Sequence, residues 1–209
     1  MRSATGSLHE AMRQLAEWRT RGLTDLRMSI NLSTSQFLDK TLPARVDALL
    51  ARHGLAANLI DLEVTESVSM ASPDETIEVM RALTQRGLTL SIDDFGTGYS
   101  SLAYLKLFPI RTLKIDRSFV KDIETDPSDA DICDVTVLLA HKLGLEVVAE
   151  GVETEAQLKF LRSIGCEKIQ GYLISRPLPG EQLEGLLRQP MQEWTKEWTS
   201  GGVELWHAS

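Results

Sequence analysis

The chain has 209 residues, a length that suits one domain with a substantial buried core. Its composition, 43% hydrophobic and 25% charged residues, is ordinary for a globular protein, and its net charge of -8 argues against a broad nucleic-acid surface. Two cysteines are too few for a disulfide framework, and no apolar run approaches the length of a membrane span. We therefore expect a cytoplasmic protein that neither binds a nucleic-acid polymer nor inserts into a membrane.

Predicted helices and strands alternate along the chain. Six strands are expected, at residues 27–33, 59–66, 88–94, 112–119, 146–151 and 168–175. Helices are expected at residues 7–21, 34–53 with a break at Pro43, from Ser72, from Ser100, at 126–143 and 154–164, and from about Gly180. This alternation favours parallel strands joined by helical crossovers, in a barrel or an open sheet. A dinucleotide-binding sheet ranks lower because its glycine fingerprint is missing after the first strand.

Each predicted strand is apolar for most of its length and becomes polar at its carboxyl end. In chain order, the polar residues are Asn31, then Glu63 and Glu66, Asp93 and Asp94, Lys114 and Asp116, Glu150 followed by Glu153, and Gln170. Any one of them alone is as well explained by a turn or a solvated side chain. In a parallel barrel, however, all six ends meet at one mouth, where barrel enzymes hold their sites.

This set of carboxylates and amides with one lysine is typical of an oxygen-ligand site for Mg²⁺ or Mn²⁺. Two such ions bridged by a carboxylate activate a water for displacement at phosphorus. Asp93 and Asp94 suit that bridge only if the backbone breaks strand geometry, because neighbours in a regular strand point to opposite faces. Lys114 is expected to position the water or offset phosphate charge, with Asp116 holding its ammonium. The alternative for this pair is a purely structural ion pair.

Six segments together resemble the EAL family, the cyclic di-GMP phosphodiesterases of bacterial signalling. They are residues 31–33, 63–66, 93–102, 113–120, 148–153 and 170–172, in the family's order and spacing. The similarity runs from about Ser7 to Pro179. It implies an α/β fold, a TIM-like barrel, that hydrolyses cyclic di-GMP to linear pGpG with Mg²⁺ or Mn²⁺.

The resemblance also implies a role for each matching residue. The metal positions are Asn31, Glu63, Asp93, Asp94 and Glu150, and the catalytic positions are Lys114, Glu150, Gln170, Asp116 and Glu153. Glu66 matches the glutamate that anchors the loop after the Asp-Asp pair, a loop that is associated in the family with metal binding and dimer contacts. Arg176, Pro177 and Leu178 match a segment near a guanine base, although a plain strand-to-helix turn explains them equally well.

The front of the chain departs from the family pattern, because nothing before Asn31 resembles the Glu-Ala-Leu motif. Glu10 lies in a helical pattern and receives no metal role. We expect an incomplete barrel with about six of eight strands, a weakened metal site and two open edges. A partner chain, a swapped element or the chain's own tail is expected to cover these edges, and a homodimer follows from the first two.

The chain is therefore divided into an EAL domain, residues 1–190, truncated at its front, and a tail, residues 191–209. The tail contains Trp194, Trp198 and Trp206, which favour packing or association, or a terminal helix that packs locally. The leading hypothesis is a cyclic di-GMP phosphodiesterase with impaired turnover, and whether it is an active enzyme is left open. The main alternative is a non-catalytic module that binds cyclic di-GMP or a protein partner. An unrelated metal-dependent barrel phosphodiesterase is a third reading.

Overall fold

Parallel strands form the centre of the fold, which a computed structural model describes for residues 4–98, 101–188 and 204–206. Six strands follow one another across the sheet and curl into a half-barrel. They are β1 (Arg27–Asn31), β2 (Ile60–Thr65), β3 (Thr89–Phe95), β4 (Thr112–Ile115), β5 (Glu146–Ala149) and β6 (Lys168–Ile169). A seventh strand, β7 (Glu204–Trp206), lies on the far side of β1. The prediction of a parallel α/β barrel fold is confirmed.

One helix precedes β1, and the other described helices lie between successive strands. The helices are α1 (Ala4–Thr20), α2 (Thr34–Phe37), α3 (Leu42–His53), α4 (Glu66–Ala71), α5 (Pro73–Thr84), α6 (Leu102–Leu105), α7 (Arg117–Lys121), α8 (Pro127–Lys142), α9 (Glu155–Ser163) and α10 (Gly180–Leu187), with a short 3-10 helix at Ala57–Leu59. As predicted, the segment 34–53 breaks ahead of Pro43, which occupies the first turn of α3.

The strands have one apolar face and one polar face, because side chains alternate along extended backbone. The apolar face packs with the helices into one core, to which the strands contribute Met28, Ile30, Leu62, Leu90, Ile92, Leu113 and Val147. The opposite face carries buried polar residues, namely Ser29, Asp61, Glu63, Ser91, Asp93, Thr112 and Lys114. The fold therefore sets a buried polar surface inside the curl, with the site at its carboxyl end.

Two strands end well before their predicted ends, whereas the other four differ from the prediction by at most two residues at either end. β4 ends at Ile115 rather than at residue 119, because Asp116 caps α7 and its carboxylate accepts a hydrogen bond from the Ser118 amide. β6 ends at Ile169 rather than at residue 175. Beyond it the chain turns back, and the amides of Ile174 and Ser175 donate to the carbonyl of Gly171. In both places a hydrogen-bonded turn outcompetes an apolar pattern that favours extended chain.

The chain's own tail covers one edge of the sheet. Glu204, Leu205 and Trp206 pair in parallel with Arg27, Met28 and Ser29. The sequence leaves three candidates for covering the open edges: a partner chain, a swapped element and the tail. At β1 the structure shows the tail. Trp194 and Trp198 lie outside the described residues. Among the described helices, none combines the length and apolar character needed to cross a membrane.

Candidate active site

The backbone breaks strand geometry between the two adjacent aspartates. Asp94 has a φ of 55°, which a non-glycine residue rarely adopts. The pairing of β3 with β4 also shifts its register between Ile92 and Phe95. The condition for Asp93 and Asp94 to serve the same site is thus met. A carboxylate oxygen of each, and one of Glu150, all lie within 4.8 Å of one another.

Lys114 lies beneath this acidic cluster and is almost completely buried, with 1% of its side chain exposed. Its Nζ contacts Glu63 Oε2 at 3.0 Å and Asp93 Oδ1 at 2.9 Å, and it also pairs closely with Glu150. These partners come from β2, β3 and the end of β5, so a single ammonium joins three strands. The arrangement requires the curl of the sheet, because β2 and β5 are not neighbours in it.

Asn31, Glu63 and Gln170 contribute further polar atoms at the carboxyl ends of the strands. With its amide nitrogen turned toward the carboxylates, Asn31 donates to Glu63 Oε2 at 3.2 Å and to Asp93 Oδ2 at 3.1 Å. The second oxygen of Glu63, Oε1, is buried without a hydrogen-bond partner, and so is Oε1 of Gln170. Buried oxygens without donors are costly, because they have left water and gained nothing in return.

Burial dominates the electrostatics of the carboxyl groups. It raises the pKa of Glu63 well above its ordinary range, and the nearby Asp93 adds to this while Lys114 opposes it. Burial, with Asp93 again adding, raises the pKa of Glu150 to about 7. The pKa of Asp94 is raised by burial and by the charges of Asp93 and Asp116.

The pKa of Lys114 is raised as well, which in a lysine favours the charged form. Although burial works to lower it, the charges of Glu63, Glu150 and Asp93 raise the pKa of Lys114, so its ammonium persists. One ammonium therefore faces more carboxyl groups than it can balance, because Glu63, Asp93 and Glu150 contact it and Asp94 lies beside them. Either protons or a further cation must balance that excess.

The residues present fit a divalent cation. Asp93, Asp94 and Glu150 converge, and two buried oxygens nearby lack donors. Hard cations bind carboxylate and carbonyl oxygens, and their charge offsets the mutual repulsion of neighbouring carboxylates. A cation is thus a chemically consistent occupant of the acidic cluster.

Glu66 holds the loop that follows the aspartates. Its carboxylate is buried, and Oε2 accepts hydrogen bonds from the backbone N–H of Gly96 at 2.8 Å and of Gly98 at 3.4 Å. A Cβ on Gly98 would come within 3.1 Å of Glu66 Oε1, so the small residue permits the close approach. Glu66 thus bonds the backbone of the loop at two points, and its role as the loop anchor stays a prediction.

The ammonium of Lys114 pairs with Glu63, Asp93 and Glu150, whereas the sequence analysis expects Asp116 to hold it. Asp116 caps α7 and its carboxyl group faces Asp94. Burial opposes the shift, but hydrogen bonds from Ser118 lower the pKa of Asp116. Since the neighbouring pKa of Asp94 is raised, the two groups are suited to share a proton.

The remaining predicted residues lie on exposed segments that follow β5 and β6. Glu153 is exposed on the loop after β5, and its backbone N–H donates to Gln157. Arg176 is exposed and places its guanidinium 4.7 Å from the centre of the Tyr172 ring. Pro177 and Leu178 follow on the same exposed segment.

A buried pair on the inner face of the sheet, Asp61 and Ser91, is not among the predicted site residues. Ser91 Oγ donates to Asp61 Oδ2 at 2.6 Å, between β3 and β2. The signal was available, because Asp61 precedes Glu63 by two residues and Ser91 precedes Asp93 by two, which places each pair on one strand face. Asp61 also contributes to the raised pKa of Glu63.

Comparison with known proteins gives a family match, described as the EAL domain, over residues 6–177. Two curated relatives come from Pseudomonas aeruginosa. The bifunctional diguanylate cyclase/cyclic di-GMP phosphodiesterase MucR is 47% identical over 176 residues, which cover 84% of this chain and 26% of MucR. The cyclic di-GMP phosphodiesterase NbdA is 48% identical over 181 residues, which cover 87% of this chain and 23% of NbdA. The chain thus spans about a quarter of the length of these relatives.

Solved structures are similar over the same part of the chain. The PaMucR phosphodiesterase in a c-di-GMP complex has a TM-score of 0.82 and 46% identity, with 84% of this chain and 71% of that chain covered. The EAL domain of Mycobacterium smegmatis DcpA also has a TM-score of 0.82, at 38% identity, with coverages of 86% and 81%. Since the family match includes β1 to β6 and every residue of the acidic cluster, this chain belongs to the EAL domain family.

Proposed function

We propose that this domain hydrolyses cyclic di-GMP to linear pGpG. Its family membership supports the proposal, as do MucR and NbdA, whose names identify them as cyclic di-GMP phosphodiesterases. The structurally similar PaMucR phosphodiesterase is a c-di-GMP complex, and so is the manganese complex of Klebsiella pneumoniae BlrP1. The observation that carries the proposal is the buried Lys114 held by three carboxylates directly beside Asp94.

In the proposed reaction a water oxygen bonds to phosphorus, the bond from phosphorus to the 3′ oxygen breaks, and that oxygen takes up a proton. Lys114, fixed by three strands, supplies a positive charge that needs no reorientation as negative charge develops on the phosphoryl oxygens. Glu150 is proposed to accept the water's proton, because its carboxylate lies within 4.8 Å of Asp93 and Asp94 at the proposed cation site. Asp116, whose carboxyl group faces Asp94, offers a second place for a proton.

The proposed cofactor is Mg²⁺ or Mn²⁺, held by Asp93, Asp94 and Glu150, with Asn31 and Glu63 beside them. Such a cation activates water and offsets charge on the phosphate. The BlrP1 manganese/cy-diGMP complex, 32% identical with a TM-score of 0.76 over 85% of this chain and 45% of that chain, supports the choice of ion. Gln170 and Glu153 are proposed to complete the polar surroundings of the reacting water.

Arg176, Pro177 and Leu178 are proposed to contact a guanine base of the substrate. Their exposure supports this, because a base can reach them from solvent. The guanidinium of Arg176 already stacks on the Tyr172 ring, and a guanine base is likewise a planar aromatic group on which a guanidinium can stack.

We also propose that the domain, residues 1–190, forms a homodimer in the cytoplasm, with residues 191–209 as a tail attached through β7. Exposed apolar residues on α8, which include Val135 at 63% and Leu138 at 57% exposure, support self-association. The free cysteines Cys133 and Cys166 suit a reducing compartment. Sedimentation of the wild-type protein and of Leu138→Glu tests the dimer, which the charged variant should dissociate.

The test of the function is a turnover assay with cyclic di-GMP and Mn²⁺ in parallel with a binding titration. We expect pGpG from the wild-type protein, about a hundred-fold less from Asp93→Ala, and unchanged turnover for the exposed control Asp74→Ala. The reduced turnover that the sequence analysis expects stays a prediction, which the wild-type rate decides. Tight binding of cyclic di-GMP without pGpG would refute the enzyme and favour a binding module.

A further inference from the structure

The loop after β5 carries Glu150 and is held between two other active-site segments. The Glu150 amide donates to Ile115 O at 3.1 Å, and the Val152 amide donates to Gln170 O at 3.0 Å. A Cβ on Gly151, whose φ is +72°, would lie 2.6 Å from Arg117 Cβ. The loop therefore packs tightly against the start of α7, immediately after Asp116.

One buried amide ties the far end of this loop to the same helix. Gln157 is 4% exposed, and its Oε1 accepts hydrogen bonds from the backbone N–H of Glu153 at 2.7 Å and of Thr154 at 3.0 Å. Its Nε2 donates to Lys121 O, at the last residue of α7, at 3.2 Å. A single side chain therefore bonds both the loop that carries Glu150 and the helix that begins after Asp116.

Part of this pattern is an ordinary helix cap. Thr154 and Gln157 form a capping box, in which Thr154 Oγ1 accepts from the Gln157 amide and the Gln157 side chain accepts from the Thr154 amide. Glutamate serves that box as well as glutamine does. Only an amide, however, can also donate to the carbonyl of Lys121. The hydrogen bond from Gln157 Nε2 to Lys121 O is therefore the contact that capping does not explain.

We propose that Gln157 is a positioning residue for the proposed hydrolysis, which bridges α7 to the loop after β5 and so keeps Glu150 and Glu153 in register with Lys114 and Asp116. The inference rests on the proposed function. Contacts at both ends of the loop support it, one at Gly151 and one at Gln157. Reacting groups lose much of their effectiveness when they move by a fraction of an ångström to one ångström.

The test is Gln157→Glu, which retains the acceptor of the capping box and loses the donor to Lys121. We expect kcat to fall about ten-fold while KM changes by less than about two-fold. The affinity for Mn²⁺ alone should fall about five-fold, although the added carboxylate would by itself attract a cation. If Gln157→Glu binds Mn²⁺ more weakly despite its added negative charge, the residues that hold the cation have moved.

Two controls separate positioning from stability. Gln36→Glu makes the same exchange in the capping box of α2, and Thr154→Ala weakens the cap of α9 while leaving the amide bridge. Both should keep kcat within about two-fold of the wild type. If Gln157→Glu does not fold, Gln157→Met, which has similar length but lacks both the donor and the acceptor, is compared with Thr154→Ala, which weakens the same cap.

The outcomes distinguish this proposal from the function on which it rests. The positioning role would be overturned if Gln157→Glu had the kcat and the Mn²⁺ affinity of the wild type. It would also be overturned if Thr154→Ala lost as much kcat and Mn²⁺ affinity as Gln157→Glu. If the wild-type protein binds Mn²⁺ but makes no pGpG, the proposed hydrolysis fails, and the Mn²⁺ affinity of the variant still decides the role of Gln157. No Mn²⁺ binding by the wild-type protein would overturn both.

Discussion

Replacing Lys114 by methionine removes the only ammonium that the structure shows among Glu63, Asp93 and Glu150, without changing the side-chain volume greatly. Contacts near 3 Å at an effective dielectric of ~20 correspond to a gross attraction of ~5 kcal/mol each, most of which repays the desolvation of the buried charges. Removing one partner of a buried ion pair typically costs ~3–5 kcal/mol. We therefore expect Lys114→Met to lower the free energy of unfolding by ~3 kcal/mol at about pH 8.

The pH dependence of that loss identifies its cause. Without the ammonium, the folded-state pKa values of Glu63 and Glu150 rise further above their unfolded values. The resulting penalty grows as the pH rises above the unfolded pKa, and it disappears as the groups protonate at lower pH. Urea unfolding in a chelator should show a loss at about pH 5 that is less than half of the loss at about pH 8. The exposed control Lys159→Met should change stability by less than ~0.5 kcal/mol. A loss that is equal at both pH values would refute the electrostatic explanation.

Two further perturbations test other parts of the structure. Glu66→Ala should lower stability by ~2 kcal/mol and speed hydrogen exchange at Gly96, because it removes a buried acceptor from the loop; unchanged exchange would contradict the anchor. Hydrogen bonding to Arg111 lowers the pKa of Glu146 to about 2, so its stabilisation is full above its ordinary pKa of 4.5 and disappears as the pH falls through about 2. Because this pair is a third or more exposed, Glu146→Gln should cost only ~1 kcal/mol at about pH 7 and almost nothing at about pH 2, as measured by urea unfolding.

Local sequence signals were sufficient for the break at the two aspartates. Gly96 and Gly98 indicated a tight loop directly after Asp93 and Asp94, and the structure shows Asp94 at positive φ. Strand alternation likewise placed Lys114 on the polar face. These features depend on a few neighbouring residues, which is why a pattern of that length predicts them.

The partners of Lys114 depend on contacts that no local pattern contains. Alternation puts Lys114 and Asp116 on one face, but a turn begins at Asp116 and its carboxylate caps α7 instead. Glu63, which takes part in holding the ammonium, is 51 residues away in sequence. The pairing of β7 with β1 joins still more distant segments. Sheet order and curvature determine these contacts.

The central claim is that Asp93, Asp94 and Glu150 bind a divalent cation, and a titration of the apoprotein with Mn²⁺ tests it most directly. The account predicts saturable binding that Asp94→Asn weakens at least about ten-fold, because the substitution removes one anionic ligand. The exposed control Asp74→Asn should bind Mn²⁺ as the wild-type protein does. Equal affinity in the wild-type protein and Asp94→Asn, or no saturable binding by the wild-type protein, would contradict the account.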